Sequence, residues 1–296
     1  MFSGSLVALV TPFDSSSRVD YRSLKRLIDF HVEQGSDGLV IGGTTGESAT
    51  LTYSEHVDLV REAVEIVDGR LPVIAGTGSN STAQTVALSR ALSDLDIDAY
   101  LVVVPYYNKP VQEGLFQHFS AIADAVNKPV MLYNVPGRTV ADLLPDTVAR
   151  LATHGNIFGI KEATGDIERL RAIQGRVSAD FRLYSGDDFT LLPFIKSGGH
   201  GVVTVSGNVV PRAVAELCRL ALDGKFEEAR LLDDSLQDLN KMLFIESNPI
   251  PVKWAVSQMG LMGPDIRLPL TPYSAEYHDD MRAAMQKAGV SMEKNA

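Results

Sequence analysis

A lysine lies in an apolar segment that has the character of a buried strand. Lys161 directly follows the apolar run 158–160, and strands covered on both faces read as continuous apolar runs. Lysine is almost never buried without a partner or a function. Loss of solvation favours the neutral amine, which attacks carbonyl carbons and forms a Schiff base. The alternative is a structural lysine that pairs with Glu162 at the end of the strand.

A tyrosine and an arginine stand together in a second segment. Tyr133 ends the predicted strand 129–133, and Arg138 lies on the following loop, Asn-Val-Pro-Gly-Arg-Thr. A phenol at a strand end can shuttle protons. A planar guanidinium can bind a carboxylate through two parallel hydrogen bonds. The alternatives are a core aromatic for Tyr133 and a surface cation for Arg138.

A glycine-rich segment is a candidate anion site. The sequence Gly-Gly-Thr-Thr-Gly-Glu-Ser at 42–48 follows the predicted strand 38–41. Glycines let the backbone approach a ligand, and consecutive N–H groups at a helix start can bind an anion. The segment lacks the lysine of a phosphate-binding loop and is not a dinucleotide fingerprint. We therefore expect it to bind a small carboxylate, with a plain strand-to-helix turn as the alternative.

Eight short apolar segments position these motifs at strand ends. We predict strands over residues 6–10, 38–41, 72–75, 99–104, 129–133, 158–161, 182–184 and 202–205. Amphipathic helical segments fill the gaps, as after the capping box that begins at Thr52 and includes Glu55. Eight such units predict an α/β fold, the (β/α)8 or TIM barrel, whose reacting groups project from the C-terminal strand ends. An open doubly wound sheet is the alternative, since strand count alone does not show closure.

The remainder of the chain differs in character from the repeating units. Residues 1–223 contain all eight predicted strands, whereas residues 224–296 are helical and charged. We predict that 1–223 form the catalytic barrel and that 224–296 form a C-terminal helical extension packed on it. The charged positions of the extension then face solvent.

The amino-acid composition argues against several classes of binding partner and of metal or disulfide site. The 296 residues include 27 Lys and Arg against 37 Asp and Glu, a net charge of −10, which argues against nucleic acid and anionic membranes as partners. The single cysteine, Cys218, removes any intrachain disulfide or multi-cysteine metal site, and the six histidines lack metal-ligand spacing. We therefore predict no bound metal. We also predict neither a secretory signal nor a membrane span, and hence a cytoplasmic location.

Three ordered motifs carry a family resemblance. They are Gly-Thr-Thr-Gly-Glu at 43–47, Tyr-Asn-Val-Pro-Gly-Arg-Thr at 133–139 and Gly-Ile-Lys-Glu-Ala-Thr-Gly-Asp at 159–166. With them the chain resembles, nearly end to end, the dihydrodipicolinate synthase family of class I pyruvate-dependent aldolases. The resemblance implies a homotetramer built as a dimer of dimers. It also implies condensation of pyruvate with L-aspartate 4-semialdehyde to 4-hydroxy-tetrahydrodipicolinate, in lysine and diaminopimelate biosynthesis, with no metal or organic cofactor.

The resemblance implies a role for each catalytic residue. Lys161 would form the Schiff base with pyruvate. Thr44 and Thr45 would hold the pyruvate carboxylate. Tyr133, Thr44 and Tyr107 would form a proton relay, with Tyr107 contributed by a second subunit across the tight dimer.

The same resemblance assigns the second substrate and leaves two alternatives. Arg138 would bind the carboxylate of aspartate semialdehyde, while Gly186 and Val203 would line the site. Sialic-acid and keto-sugar-acid lyases share the lysine and the tyrosine but lack the Gly-Arg-Thr segment, so Arg138 favours the synthase. A catalytically inactive barrel that senses a small molecule would be expected to lose Lys161 or Tyr133, and both are present.

A regulatory site is implied for lysine-inhibited members of the family, at the tight-dimer interface. Five positions match that site: Ser48, Ala49, His56, Asn80 and Tyr106. Two depart from it, since Tyr53 stands where a histidine is common and Gln84 where a glutamate is common. We therefore predict weak or partial inhibition by lysine. The alternative is a vestigial pocket whose residues only pack the interface.

Overall fold

The computed structural model describes residues 2–292 and contains a closed barrel of eight parallel strands. The strands are β1 (Gly4–Ala8), β2 (Gly38–Ile41), β3 (Val73–Gly76), β4 (Ala99–Val103), β5 (Val130–Asn134), β6 (Ile157–Glu162), β7 (Arg182–Ser185) and β8 (Gly201–Thr204). Each strand pairs with the next in sequence, and β8 pairs with β1. This closure confirms the predicted TIM barrel and excludes the open doubly wound sheet.

Helices cover the outside of the barrel and form the C-terminal extension. They are α1 (Tyr21–Gln34), α2 (Tyr53–Val67), α3 (Thr82–Ala91), α4 (Gln112–Ala125), α5 (Pro136–Thr139), α6 (Pro145–Leu151), α7 (Ile167–Gln174), α8 (Leu191–Lys196), α9 (Pro211–Leu222), α10 (Phe226–Leu243), α11 (Ile250–Gln258) and α12 (His278–Lys287). The predicted capping box forms at the start of α2, between Thr52 and Glu55. None of the helices within residues 2–292 combines the length and the apolar character needed to cross a membrane.

The first strand begins and ends two residues earlier than the sequence pattern predicts. Gly4 and Ser5 pair with β8 and so close the barrel through backbone hydrogen bonds, which an apolar pattern does not reveal. Val10 lies beyond the strand, and its N–H donates instead to Oδ1 of Asn208 at 3.1 Å. The other seven strands lie within one residue of their predicted ends.

Two apolar cores hold these layers together. The inner core fills the barrel, and Tyr133, Phe158, Tyr184 and Val203 belong to it. The outer core lies between strands and helices, and it also contains residues of the extension: Leu236, Leu239, Val252, Trp254 and Met281. The extension therefore packs on the barrel through continuous apolar contact.

Candidate active site

Lys161 and Tyr133 face each other inside the barrel. They are register partners on the adjacent strands β6 and β5, and the side chains of both are almost fully buried. Lys161 is 6% exposed, and its Nζ lies 4.2 Å from the centroid of the Tyr133 ring. The geometry brings an amine and a phenol together in an apolar interior at the C-terminal end of the strands.

Glu162, the alternative partner of Lys161, is engaged elsewhere. Its carboxylate accepts hydrogen bonds from Nδ2 of Asn134 at 3.0 Å and from the N–H of Thr164 at 2.9 Å. Consecutive residues of a strand point to opposite faces, so Glu162 lies outside the face that Lys161 occupies. Burial raises the pKa of Glu162, against the effect of these hydrogen bonds. The structural pairing of Lys161 with Glu162 is therefore wrong.

Gly186 packs directly against the side chain of Lys161. A Cβ atom at Gly186 would lie 2.8 Å from Cε of Lys161 and 2.6 Å from Cβ of Ala163. Real Cβ atoms essentially never show such distances, so only glycine fits without displacing the lysine. Val203, the other residue predicted to line the site, lies in the same inner core as Tyr133.

The segment after β2 presents free backbone donors. Among the backbone hydrogen bonds within residues 2–292, none has the amide of Thr44 or Thr45 as its donor, whereas the carbonyl of Thr44 accepts from the N–H of Glu47 at 3.0 Å. Gly42 has a φ of +68°, and a Cβ there would lie 2.3 Å from Nε2 of His56. Glycine is therefore required where the segment turns. The two free amides have the character of the predicted carboxylate cradle.

Residues of the C-terminal extension form hydrogen bonds with the side chains of this cradle segment. Nδ2 of Asn248 donates to Oγ1 of Thr45 at 3.0 Å. Nζ of Lys253 donates to Oε1 of Glu47 at 2.5 Å, and both side chains are almost completely excluded from solvent. The backbone N–H of Arg267 donates to the second oxygen of Glu47 at 3.2 Å.

A cavity of about 580 Å³ opens at the mouth of the barrel. Its wall includes Thr44, Arg138 and Val103, and Val103 is the register partner of Tyr133. Arg138 lies on the short helix α5 rather than on a loop as predicted, and its Nη2 donates to the carbonyl of Asn248 at 3.2 Å. The cavity thus joins Thr44 and Arg138, whereas Thr45, Lys161 and Tyr133 are not on its wall.

The positions matched to the lysine site lie mostly on the same cavity. Its wall also includes Ser48, Ala49, Tyr53, His56, Gln84 and Tyr106. Nε2 of His56 is buried without a hydrogen-bond partner, and burial lowers the pKa of this imidazole. Asn80 is not on the wall, and its carbonyl accepts from Nδ2 of Asn108 at 2.8 Å.

Tyr107 stands apart from the other relay candidates. Its side chain is 87% exposed, its φ is +75°, and it does not line the cavity. A single chain therefore does not bring Tyr107 together with Tyr133 and Thr44.

Comparison with known proteins gives the family. A family model described as the dihydrodipicolinate synthetase family matches residues 1–288. The chain belongs to this dihydrodipicolinate synthetase family. A 4-hydroxy-tetrahydrodipicolinate synthase of Stutzerimonas stutzeri (strain A1501) is 54% identical over 290 residues, which are 98% of this chain and 99% of the relative.

Solved structures of dihydrodipicolinate synthases have the same fold. A chloride-inhibited enzyme of Acinetobacter baumannii complexed with pyruvate is 46% identical, with a TM-score of 0.96 over 98% of this chain and 100% of that chain. An enzyme of Cyanidioschyzon merolae with lysine bound is 42% identical, with a TM-score of 0.95 over 97% of this chain and 98% of that chain.

Sequence reasoning missed three supporting residues of this dihydrodipicolinate synthetase family member. Asn134 and Asn248 lie in segments that match the family, but neither was given a role, because an asparagine is common in loops and at strand ends. Lys253 did carry one: it interrupts the apolar segment 250–256 as Lys161 follows the apolar run 158–160. Within residues 2–292, no group of three or more His, Cys, Asp or Glu side chains is arranged to hold a metal ion.

Proposed function

We propose that this protein condenses pyruvate with L-aspartate 4-semialdehyde through a Schiff base on Lys161 and forms 4-hydroxy-tetrahydrodipicolinate. The observation that carries the proposal is the buried amine of Lys161, which faces the Tyr133 ring at 4.2 Å and is not paired with Glu162. The similar proteins named 4-hydroxy-tetrahydrodipicolinate synthase support the same reaction. It belongs to lysine and diaminopimelate biosynthesis.

The first half-reaction binds and activates pyruvate. The free amides of Thr44 and Thr45, together with their hydroxyls, hold the pyruvate carboxylate. The amine of Lys161 adds to the ketone carbon, and one water leaves as the imine forms. The protonated imine then draws electrons from the adjacent carbon, which loses a proton and becomes the nucleophilic end of an enamine.

The second half-reaction forms the carbon–carbon bond and releases the lysine. Arg138 binds the carboxylate of aspartate semialdehyde and orients its aldehyde toward the enamine. The enamine carbon attacks the aldehyde, whose oxygen takes up a proton and becomes the product hydroxyl. The substrate amine then adds to the imine carbon and displaces the amine of Lys161, which closes the ring.

Several of these steps move protons, and a phenol relay can carry them. Tyr133 lies beside Lys161, and Thr44 lies on the wall of the cavity that also includes Val103, the register partner of Tyr133. We assign the third member to Tyr107 of a second copy of the chain, because in one copy this tyrosine is held out into solvent. The proposed assembly is a homotetramer of two tight dimers, and sedimentation equilibrium measures its mass directly.

Lysine is the proposed regulator of the same protein. The wall of the mouth cavity includes His56, Tyr106 and Gln84, which match positions of the family's lysine site. Gln84 offers its amide oxygen to the lysine ammonium but no charge, so the proposed inhibition is weak or partial.

The domain division and the cellular location are also proposed. We treat residues 1–223 as the catalytic barrel and 224–296 as its helical extension, of which 293–296 lie outside the described residues. We also propose a cytoplasmic location, since the similar proteins are named as biosynthetic synthases.

A coupled assay with two aldehydes tests the substrate. Each assay contains pyruvate and either aspartate semialdehyde or a polyhydroxylated sugar aldehyde. We expect turnover with aspartate semialdehyde at least a hundredfold faster, because Arg138 offers a bidentate site for its carboxylate. Faster turnover of the sugar aldehyde would establish the related lyase activity instead, and no turnover of either would favour the inactive sensor.

A further inference from the structure

We propose that Lys253 is a positioning residue for pyruvate, which acts by holding Glu47 and through it the Thr44–Thr45 cradle. This inference rests on the proposed function and adds to it a residue of the C-terminal extension. It assigns to the extension a part in substrate binding rather than in packing alone.

Glu47 closes the turn that shapes the cradle. Its N–H donates to the carbonyl of Thr44 at 3.0 Å, so the two residues define one tight turn. Glu47 also adopts a φ of +55°, in the left-handed region that residues with a Cβ rarely occupy. Such a conformation persists only where the surroundings hold it. The contacts of the Glu47 carboxylate therefore determine where the Thr44 and Thr45 amides point.

Lys253 and Arg267 provide those contacts. The two oxygens of Glu47 are divided between Nζ of Lys253 and the backbone N–H of Arg267. The ring of Phe13 contacts both cations, with its centroid 4.3 Å from Nζ of Lys253 and 4.1 Å from Cζ of Arg267. The carboxylate therefore has one position, fixed from two directions.

The segment that carries Lys253 also holds Thr45. Asn248 precedes α11, which carries Lys253, and its Nδ2 holds Oγ1 of Thr45 at 3.0 Å. Thr45 and Glu47, on either side of Gly46, are thus fixed by a single segment of the extension. A displacement of α11 would shift both anchors of the cradle together.

A purely stabilising role explains this arrangement less well. A fully buried ion pair costs desolvation on both charges, and replacing it with an uncharged pair of similar volume is often neutral or stabilising. An apolar pair would therefore serve packing equally well. A carboxylate held by directional bonds fixes geometry, which is what a cradle for a small anion requires.

The double variant E47Q/K253M tests the proposal. It keeps the side-chain sizes and removes both buried charges, whereas Lys253→Met alone leaves the buried Glu47 charge without the lysine counter-charge and is expected to lose stability. The readout is the pyruvate concentration that half-saturates borohydride trapping of Lys161, measured by mass spectrometry without the second substrate. We expect a rise of about tenfold, with the melting temperature near that of the wild type, because a charge-assisted bond no longer holds the turn.

Trp254→Phe is the matched control on the same helix. Trp254 has different contacts from Lys253 and packs against Tyr273 and His278, at centroid distances of 5.4 Å and 4.4 Å. We expect this variant to lower the melting temperature and to leave half-saturation unchanged. Wild-type half-saturation in E47Q/K253M, or an equal shift in Trp254→Phe, would overturn the positioning role. Absence of trapping in the wild type would instead refute the proposed function.

Discussion

The two parts of the site are held in different ways. Lys161 and Tyr133 lie on adjacent strands, and the barrel register alone makes them neighbours. Thr45 and Arg138 lie on segments beyond the strands, and both are fixed by Asn248, which is 203 positions from Thr45 and 110 from Arg138. The chemical centre therefore follows from the barrel, whereas the carboxylate sites depend on the C-terminal extension. Substitutions in the two parts are expected to act on different kinetic constants.

Among substitutions that leave Lys161 in place, Tyr133→Phe is expected to have the largest effect. It removes the phenol proton, and general acid–base catalysis contributes about a hundredfold to ten-thousandfold in rate. We expect kcat to fall within that range in the coupled assay while pyruvate is still trapped on Lys161. Tyr184→Phe is the control, since that hydroxyl, in the same inner core, donates to the carbonyl of Phe2. Equal loss of kcat in both variants would contradict the relay.

Arg138→Ala separates the two carboxylate sites. A charge-assisted bond contributes about 1.5–3 kcal/mol, so the KM for aspartate semialdehyde should rise roughly tenfold to a hundredfold. The KM for pyruvate should change little, because Thr44 and Thr45 hold that carboxylate. Steady-state kinetics with each substrate varied in turn measures both constants. Equal increases in both KM values would contradict the assignment of separate carboxylates to Arg138 and to the two threonines.

Gln84→Glu is expected to have a moderate effect, confined to regulation. The charged acceptor replaces a neutral one opposite the lysine ammonium, which is worth roughly tenfold in affinity. A lysine titration of both proteins in the coupled assay should therefore show stronger inhibition of the variant. If neither protein is inhibited at millimolar lysine, the pocket is vestigial and the catalytic proposal stands unchanged.

Glu55→Gln is expected to have the smallest effect, on stability rather than on kinetics. The side chain of Arg267 holds the pKa of Glu55 down to about 2, with Nη2 2.6 Å from Oε1. A carboxyl with a lowered folded pKa stabilises the protein above its unfolded pKa, about 4.3, and loses that contribution as the pH falls toward 2.

The contribution of Glu55 to stability should therefore be present at neutral pH and lost in acid. The variant should lose roughly 1 kcal/mol in the free energy of unfolding at pH 7, a figure typical of a partly exposed pair. Urea unfolding at several pH values should show this difference shrinking between pH 5 and pH 3. A difference that is constant with pH would show that the charge of Glu55 contributes nothing.

Sequence reasoning reached the barrel and the strand-borne pair for a physical reason. Buried strands need continuous apolar runs, and a polar residue at the end of such a run is conspicuous, as Tyr133 and Lys161 are. The contact of Lys253 with Glu47 joins residues 206 positions apart, and no local pattern specifies such a partner. The short helix α5 was missed because its four residues have no hydrophobic periodicity. Tyr107 acquires its proposed role only when a second chain is present.

The site of covalent modification by pyruvate decides whether Lys161 is the nucleophile. The wild-type protein is incubated with pyruvate, reduced with borohydride, digested and analysed by mass spectrometry, in parallel with Lys161→Arg. An arginine remains charged at working pH and cannot act as the amine nucleophile, although it keeps a long basic side chain at this position. We predict one modified peptide in the wild type, containing Lys161, and none in the variant, which keeps its fold by circular dichroism but loses nearly all activity. A pyruvate adduct on any other lysine, or an unmodified wild-type protein that still turns over, would contradict the assignment of Lys161.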